Sequence, residues 1–229
     1  MVVMVKKQVI HVSTQEGYDR WSNAYDQEDN PLVSLDDQLL IPLLPDVRGL
    51  KVLELGCGTG RVTRHFSNAD QVVALDVSSG MLEVAKKSLA GHPFEFQQCD
   101  LNQPWQLDHT FDLIVSALVL EHISSLLTFF ACAKQSARPT TRFICSAMHP
   151  AMFLLQKQAH FVDQSGLEIR FESFNHQMSD FINAALKAGF KLEFVQECIV
   201  NEKHQTLSAK LAKFEGWPMW LGMGFTTDP

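Results

Sequence analysis

Residues 52–61 read Val52-Leu53-Glu54-Leu55-Gly56-Cys57-Gly58-Thr59-Gly60-Arg61. An apolar run ends in three glycines at alternate positions. This reads as a buried strand turning sharply into a loop whose backbone approaches a ligand. A helix opening directly after such a loop favours an anion or a carboxylate at its N-terminus. Two familiar phosphate loops are excluded. A P-loop needs Lys-Ser or Lys-Thr after its last glycine, and none follows Gly60. A dinucleotide fingerprint, G-x-G-x-x-G, wants a small residue at position 61, and Arg61 is too bulky for close helix–strand packing.

The pattern on both sides of the loop alternates. Strands are expected at 51–55, 71–75, 94–98, 111–116 and 142–148. Helices are expected at 59–66, 80–89 and 124–137. Strands alternating with helices imply right-handed crossovers and a parallel sheet covered on both faces. Upstream, Ser13 to Glu16 fits a capping box opening a helix that carries Tyr18, Trp21 and Tyr25 on one face. Asn30-Pro31 opens a second helix running to about Leu44. Downstream, 179–188 is an amphipathic helix closed by Gly189, and strands are expected at 190–200 and 219–225. The fold class is therefore α/β and doubly wound. It has a seven-stranded, mostly parallel sheet with an antiparallel C-terminal edge strand and helices on both faces. One domain is expected: an N-terminal helical lid (1–49), a cofactor-binding core (50–150), and a substrate-side insert with the closing strands (151–229).

Composition narrows the partners. The 229 residues carry a formal net charge of −7, and no run of Lys or Arg exceeds two. A nucleic-acid footprint is not expected. Five cysteines, odd in number and without C-x-x-C spacing, suggest neither disulfides nor a zinc site. Reduced thiols and a cytoplasmic location are the simple expectation. The first residues lack a long apolar core and a small-residue cleavage site, so no signal peptide is expected. No 18-residue apolar run is present, so no membrane partner is expected.

Glu54-Leu55-Gly56-Cys57-Gly58-Thr59-Gly60 resembles the first motif of class I S-adenosylmethionine-dependent methyltransferases, an acid followed by x-G-x-G-x-G. Further landmarks follow in register over roughly residues 50–150. Asp76 matches the acid that takes both ribose hydroxyls, with Val77 beside it. Met81 matches an apolar cover of the adenine. Cys99-Asp100-Leu101 matches the motif whose acid meets the adenine amino group. Ser116-Ala117-Leu118 and Leu120-Glu121-His122 match the loop after the fourth strand. Ala137-Arg138-Pro139-Thr140-Thr141 departs from the family's Leu-Lys-Pro-Gly-Gly, in a turn away from the cofactor.

The resemblance implies S-adenosylmethionine as cofactor, S-adenosylhomocysteine as product and no metal. It implies cofactor contacts from Glu54, Gly56, Cys57, Gly58, Gly60, Asp76, Val77, Met81, Asp100, Leu101, Ala117 and Leu118. His149, directly after the fifth strand, and His122 are candidate bases, with pKa values suited to neutral pH. Each has a plainer alternative, anchoring a turn before proline or packing. Tyr18, Trp21, Tyr25, Arg170 and His176 are candidate substrate contacts. Neither an adenine-amino motif nor a Pro-Cys nucleophile is present. With the acidic charge this favours a small-molecule acceptor, on a monomer or homodimer. A non-catalytic binding protein on the same fold, and an RNA or protein methyltransferase, remain the alternatives.

Overall fold

The computed structural model describes residues 9–228. The leader reading of the first eight residues, and the start of the lid segment, lie outside them. The large sheet holds seven strands: β2 (Lys51–Leu55), β3 (Gln71–Asp76), β4 (Phe94–Gln98), β5 (Phe111–Ala117), β6 (Ala137–Met148), β9 (Lys191–Ile199) and β10 (Pro218–Thr226). Their order is β4-β3-β2-β5-β6-β10-β9. All neighbours from β4 to β6 run parallel, and β10 runs antiparallel to both β6 and β9. The antiparallel C-terminal strand thus sits one place in from the edge, with β9 outside it.

Side chains alternate along β5 from Leu113 to Val115, after a register shift between Phe111 and Leu113. In β5, Phe111 and Ile114 join the apolar layer that includes Phe129, Phe130 and Phe181. Leu113 and Val115 join the opposite layer, with Leu35, Leu40 and Phe66. Both faces are covered, which is why these strands are continuously apolar. One layer is closed by α4 (Leu126–Gln135) and α6 (Met178–Lys187). The other is closed by α2 (Pro31–Leu40) and the 3₁₀ turn Thr63–Phe66. α3 (Ser79–Ser88) follows β3, its N-cap Ser78 accepting from the Met81 N–H.

Several local expectations are corrected. Residues 59–66 form no α-helix, only turns and the 3₁₀ segment Thr63–Phe66. Gly58 and Gly60 are left-handed (φ 54° and 85°), and Thr63 gives its hydroxyl to Glu54 rather than facing outward. The first helix, α1 (Thr14–Trp21), ends before Tyr25, which sits on its own 3₁₀ turn. α2 ends at Leu40, and a 3₁₀ turn containing Pro42 completes the expected span.

A second, three-stranded sheet was not expected. It comprises β1 (Val9–Val12), β7 (His160–Val162) and β8 (Glu168–Phe171), in the order β1-β8-β7. β1 pairs parallel with β8, and β7–β8 is a hairpin inside the insert. Its apolar face packs on α1: Trp21 stacks on Phe161 at 5.3 Å, and Gly17 lies so close to Phe171 that a Cβ would come within 2.3 Å of the ring. α5 (Ala151–Leu154) precedes the hairpin.

Candidate functional site

Strand order reverses between β2, which leads outward to β3 and β4, and β5 on its other side. Open α/β sheets bind ligands at the carboxyl ends of strands beside such a switch point. A cleft of about 1050 Å³ lies there, and α1 and the small sheet form part of its wall.

The glycine loop and the loop after β5 meet at the switch point. Gly56 has φ 80°, and a Cβ on it would fall 2.2 Å from Val119 Cγ2. Only glycine satisfies both constraints. Gly58 differs: a Cβ there meets no protein atom within 4 Å, because it faces the open cleft. Leu118 is a non-glycine residue with φ 57°, held by its N–H bond to the Ser146 carbonyl at 3.0 Å. Such strain at a ligand cleft accompanies function more often than chance.

Asp76 ends β3 and lines the cleft. Its Oδ2 accepts from the Gly58 N–H at 2.7 Å and its Oδ1 from the Ser78 N–H at 2.9 Å. Burial pushes its pKa up to about 6, against the pull of the Ser78, Gly58 and Val77 N–H groups. Each oxygen retains a free lone pair. Val77, Met81, Asp100, Leu101, Ala117 and Leu118 line the same cleft, with Gly56 and Gly58. Glu54, Cys57 and Gly60 stand behind its wall instead. Glu54 is buried, accepts from Thr63 Oγ1 at 2.6 Å, and has its pKa raised by burial to about 8. Gly60 packs against Leu89.

Tyr18, Trp21 and Tyr25 all line the cleft. Tyr18 Oη lies 3.0 Å from His122 Nε2, and His122 Nδ1 lies 2.9 Å from the Glu172 carbonyl. The carbonyl can only accept, so Nδ1 carries the proton and Nε2 accepts from Tyr18. Burial lowers the His122 pKa to about 4 and raises that of Tyr18 well above its ordinary value. The pair is neutral.

The other sequence candidates are placed elsewhere. His149 does not line the cleft: its Nδ1 accepts from the Ala151 N–H at 3.1 Å and its Nε2 donates to Glu197 at 2.6 Å. It anchors the turn into α5. Arg170 is turned to Glu168 at 2.7 Å, and His176 donates to the Ile123 carbonyl at 2.6 Å, both outside the lining. Among the described residues no cluster of three or more metal-ligating side chains occurs. No described helix is long and apolar enough to cross a membrane.

Three side chains have roles that the sequence did not assign. Glu121 is 6% exposed, lines the cleft, and its Oε2 has no hydrogen-bond partner; burial raises its pKa to about 7. Its position beside His122 was the available signal. Asp19 Oδ1 accepts from Ser78 Oγ at 2.7 Å and the Gly80 N–H at 2.9 Å, pinning α1 to the start of α3. Arg61 bonds Asp36 at 2.6 Å and Asp37 at 2.5 Å, and Asp36 also accepts from the Trp220 indole. The residue too bulky for a dinucleotide loop therefore ties the glycine loop to α2.

Known proteins resemble this chain in sequence and fold. A family model described as a methyltransferase domain matches residues 52–140. An uncharacterized methyltransferase of Emericella nidulans is 31% identical over 93% of this chain and 90% of its own length. Among solved structures, an S-adenosylmethionine-dependent methyltransferase from Mesorhizobium loti superposes with TM-score 0.69 at 24% identity, over 83% of this chain and 97% of that one. A DhpI–SAH complex superposes with TM-score 0.69 at 22% identity, over 94% of this chain and 95% of the other.

Proposed function

This chain belongs to the S-adenosylmethionine-dependent methyltransferases of the class I Rossmann-like fold, and from that premise we propose that it methylates a small molecule inside the cleft. The observation that carries this reading is the convergence of Asp76, the Gly56–Gly58 loop and the Tyr18–His122 pair on one cavity. The lining fits the cofactor. Asp76 has a lone pair on each oxygen for the ribose hydroxyls, Gly58 opens onto unfilled space, and Met81 and Leu101 offer apolar cover for a base. When bound, S-adenosylmethionine supplies an electrophilic methyl group open to in-line displacement.

The protein's own part is positioning, exclusion of water and handling of a proton. Tyr18, Trp21 and Tyr25, backed by the small sheet, act as a lid over the cleft. The unpartnered Glu121 oxygen, next in sequence to the hydrogen-bonded Tyr18–His122 pair, takes up a proton released by the acceptor, while the pair holds the cleft wall in place. His149 has no part in this step. The five unpaired cysteines fit a reducing, cytoplasmic setting.

The test is a labelled-methyl transfer screen over a metabolite panel, with Asp76→Ala as control. Label transfer to a small molecule by the native chain, lost in Asp76→Ala, is expected. Label appearing only in RNA or protein would overturn the acceptor class. Cofactor binding without turnover would favour a non-catalytic role.

A further inference from the structure

Lys157, Lys210 and Lys213 line the cleft, although the chain as a whole is acidic. They come from two segments far apart in sequence, the link after α5 and the 3₁₀ stretch Ala209–Phe214 before β10. Both lie outside the residues matched by the family model. None of the three has a carboxylate partner among the described residues. Lys157 Nζ lies 5.8 Å over the Phe214 ring, and Lys210 Nζ donates to the Asp29 backbone carbonyl at 2.5 Å. Three exposed cations lining one cleft, none of them in an ion pair among the described residues, bias its mouth toward anions.

The cleft is polarised. Asp100 and Asp76 stand after β4 and β3 at one end of the strand order, and the lysines stand near β6 and β10 at the other. Of the acids nearer the lysines, Glu28 accepts from the Trp21 indole, and Asp29, which also lines the cleft, meets Lys210 through its backbone carbonyl rather than its carboxylate. Met152, Met219 and Phe214 add apolar lining to the same cleft, with Lys157 over the Phe214 ring.

Resting on the methyl-transfer reading, we propose that the acceptor is an organic anion, a carboxylate or a phosphate ester. Its charged group seats among Lys157, Lys210 and Lys213, and its apolar body lies along Met152, Met219 and Phe214. Ammonium groups act here as point charges, so both anion types satisfy the site.

The experiment titrates benzoate, phenyl phosphate and benzamide into the full chain saturated with S-adenosylhomocysteine, followed by calorimetry. The same titrations use Lys157→Met/Lys213→Met and Lys157→Arg/Lys213→Arg. At least one of the two anions should bind, and the stronger of them identifies the charged group. The Met pair should weaken that binding by about tenfold or more, the Arg pair should restore it, and benzamide should bind no better to the native chain than to the Met pair. S-adenosylhomocysteine affinity should be equal in all three proteins, which separates loss of the anion seat from misfolding. Neither anion binding, or equal anion binding by the Met pair, would overturn the proposal. If S-adenosylhomocysteine fails to bind the native chain, the methyl-transfer reading fails instead, and with it the assignment of the anion as acceptor.

Discussion

The Tyr18 hydroxyl donates to His122 Nε2 across 3.0 Å, although 104 residues separate the two in sequence. This bond joins α1 to the end of β5. It also fixes the histidine tautomer, because Nδ1 is committed to the Glu172 carbonyl of the segment after β8. Helix α1, the segment after β8 and the loop after β5 thus meet at one imidazole. Tyr18→Phe and His122→Ala should each lower turnover by about 10²-fold, the usual cost of misplacing a wall of the reacting cleft. The double variant should be no worse than the poorer single one. Multiplicative losses, measured as kcat/KM on any acceptor found, would show that the two act separately.

Cofactor affinity should depend on pH through Asp76, whose buried carboxyl titrates near 6. Ribose hydroxyls need an acceptor, and the carboxylate is the better one. Affinity for S-adenosylhomocysteine should therefore hold above pH 7 and fall as pH drops through 6. A flat profile between pH 5 and 8 would contradict the role given to Asp76.

Glu54 should impose a stability slope of its own. Its pKa rises from 4.5 to about 8 on folding, mainly through burial. The folded chain then holds a proton that the unfolded chain releases, so the native state is relatively favoured at low pH. That advantage is lost as pH climbs from the unfolded value toward 8, by at most about 1.4 kcal/mol per pH unit. Glu54→Gln, always neutral and still able to accept from Thr63, should match the native chain near pH 5. By pH 8 it should melt higher. Denaturant titrations at the two pH values check this, and an equal difference at both would refute it.

Gly56→Ala should destabilise by about 3 kcal/mol, combining left-handed strain with the contact on Val119. Val119→Ala removes both Cγ atoms and leaves the nearest remaining atom, Cβ, at 3.4 Å. The double variant should recover the steric part and keep only the strain of φ 80°, of order 1–2 kcal/mol. Additive losses in chemical denaturation would place the cost elsewhere.

The core of the fold was legible because its signals are local. The glycines after β2, the acid closing β3, and the apolar runs of β3 and β5 each follow from a few adjacent residues. The Ser13 cap is real, with the Glu16 N–H on its hydroxyl. What was missed depends on distant partners. Val9–Val12 is only four residues long, and it becomes a strand because β8 lies alongside it. Residues 59–66 read as a helix because their composition permits one, but Thr63 is drawn inward by Glu54. His149 looked like a base from its place after β6, yet Glu197 and the Ala151 N–H occupy its ring, and neither is visible from residue 149. Glu121 was read only as part of the Leu120-Glu121-His122 match, since an unpaired buried oxygen is a property of the packed structure alone.

Calorimetric titration of S-adenosylhomocysteine into the native chain and into Asp76→Ala is the most direct test of the cleft as the methyl-donor site. Saturable binding by the native chain, weakened by tenfold or more in Asp76→Ala, is the expected result. No binding at millimolar ligand, or equal binding by both proteins, would contradict it.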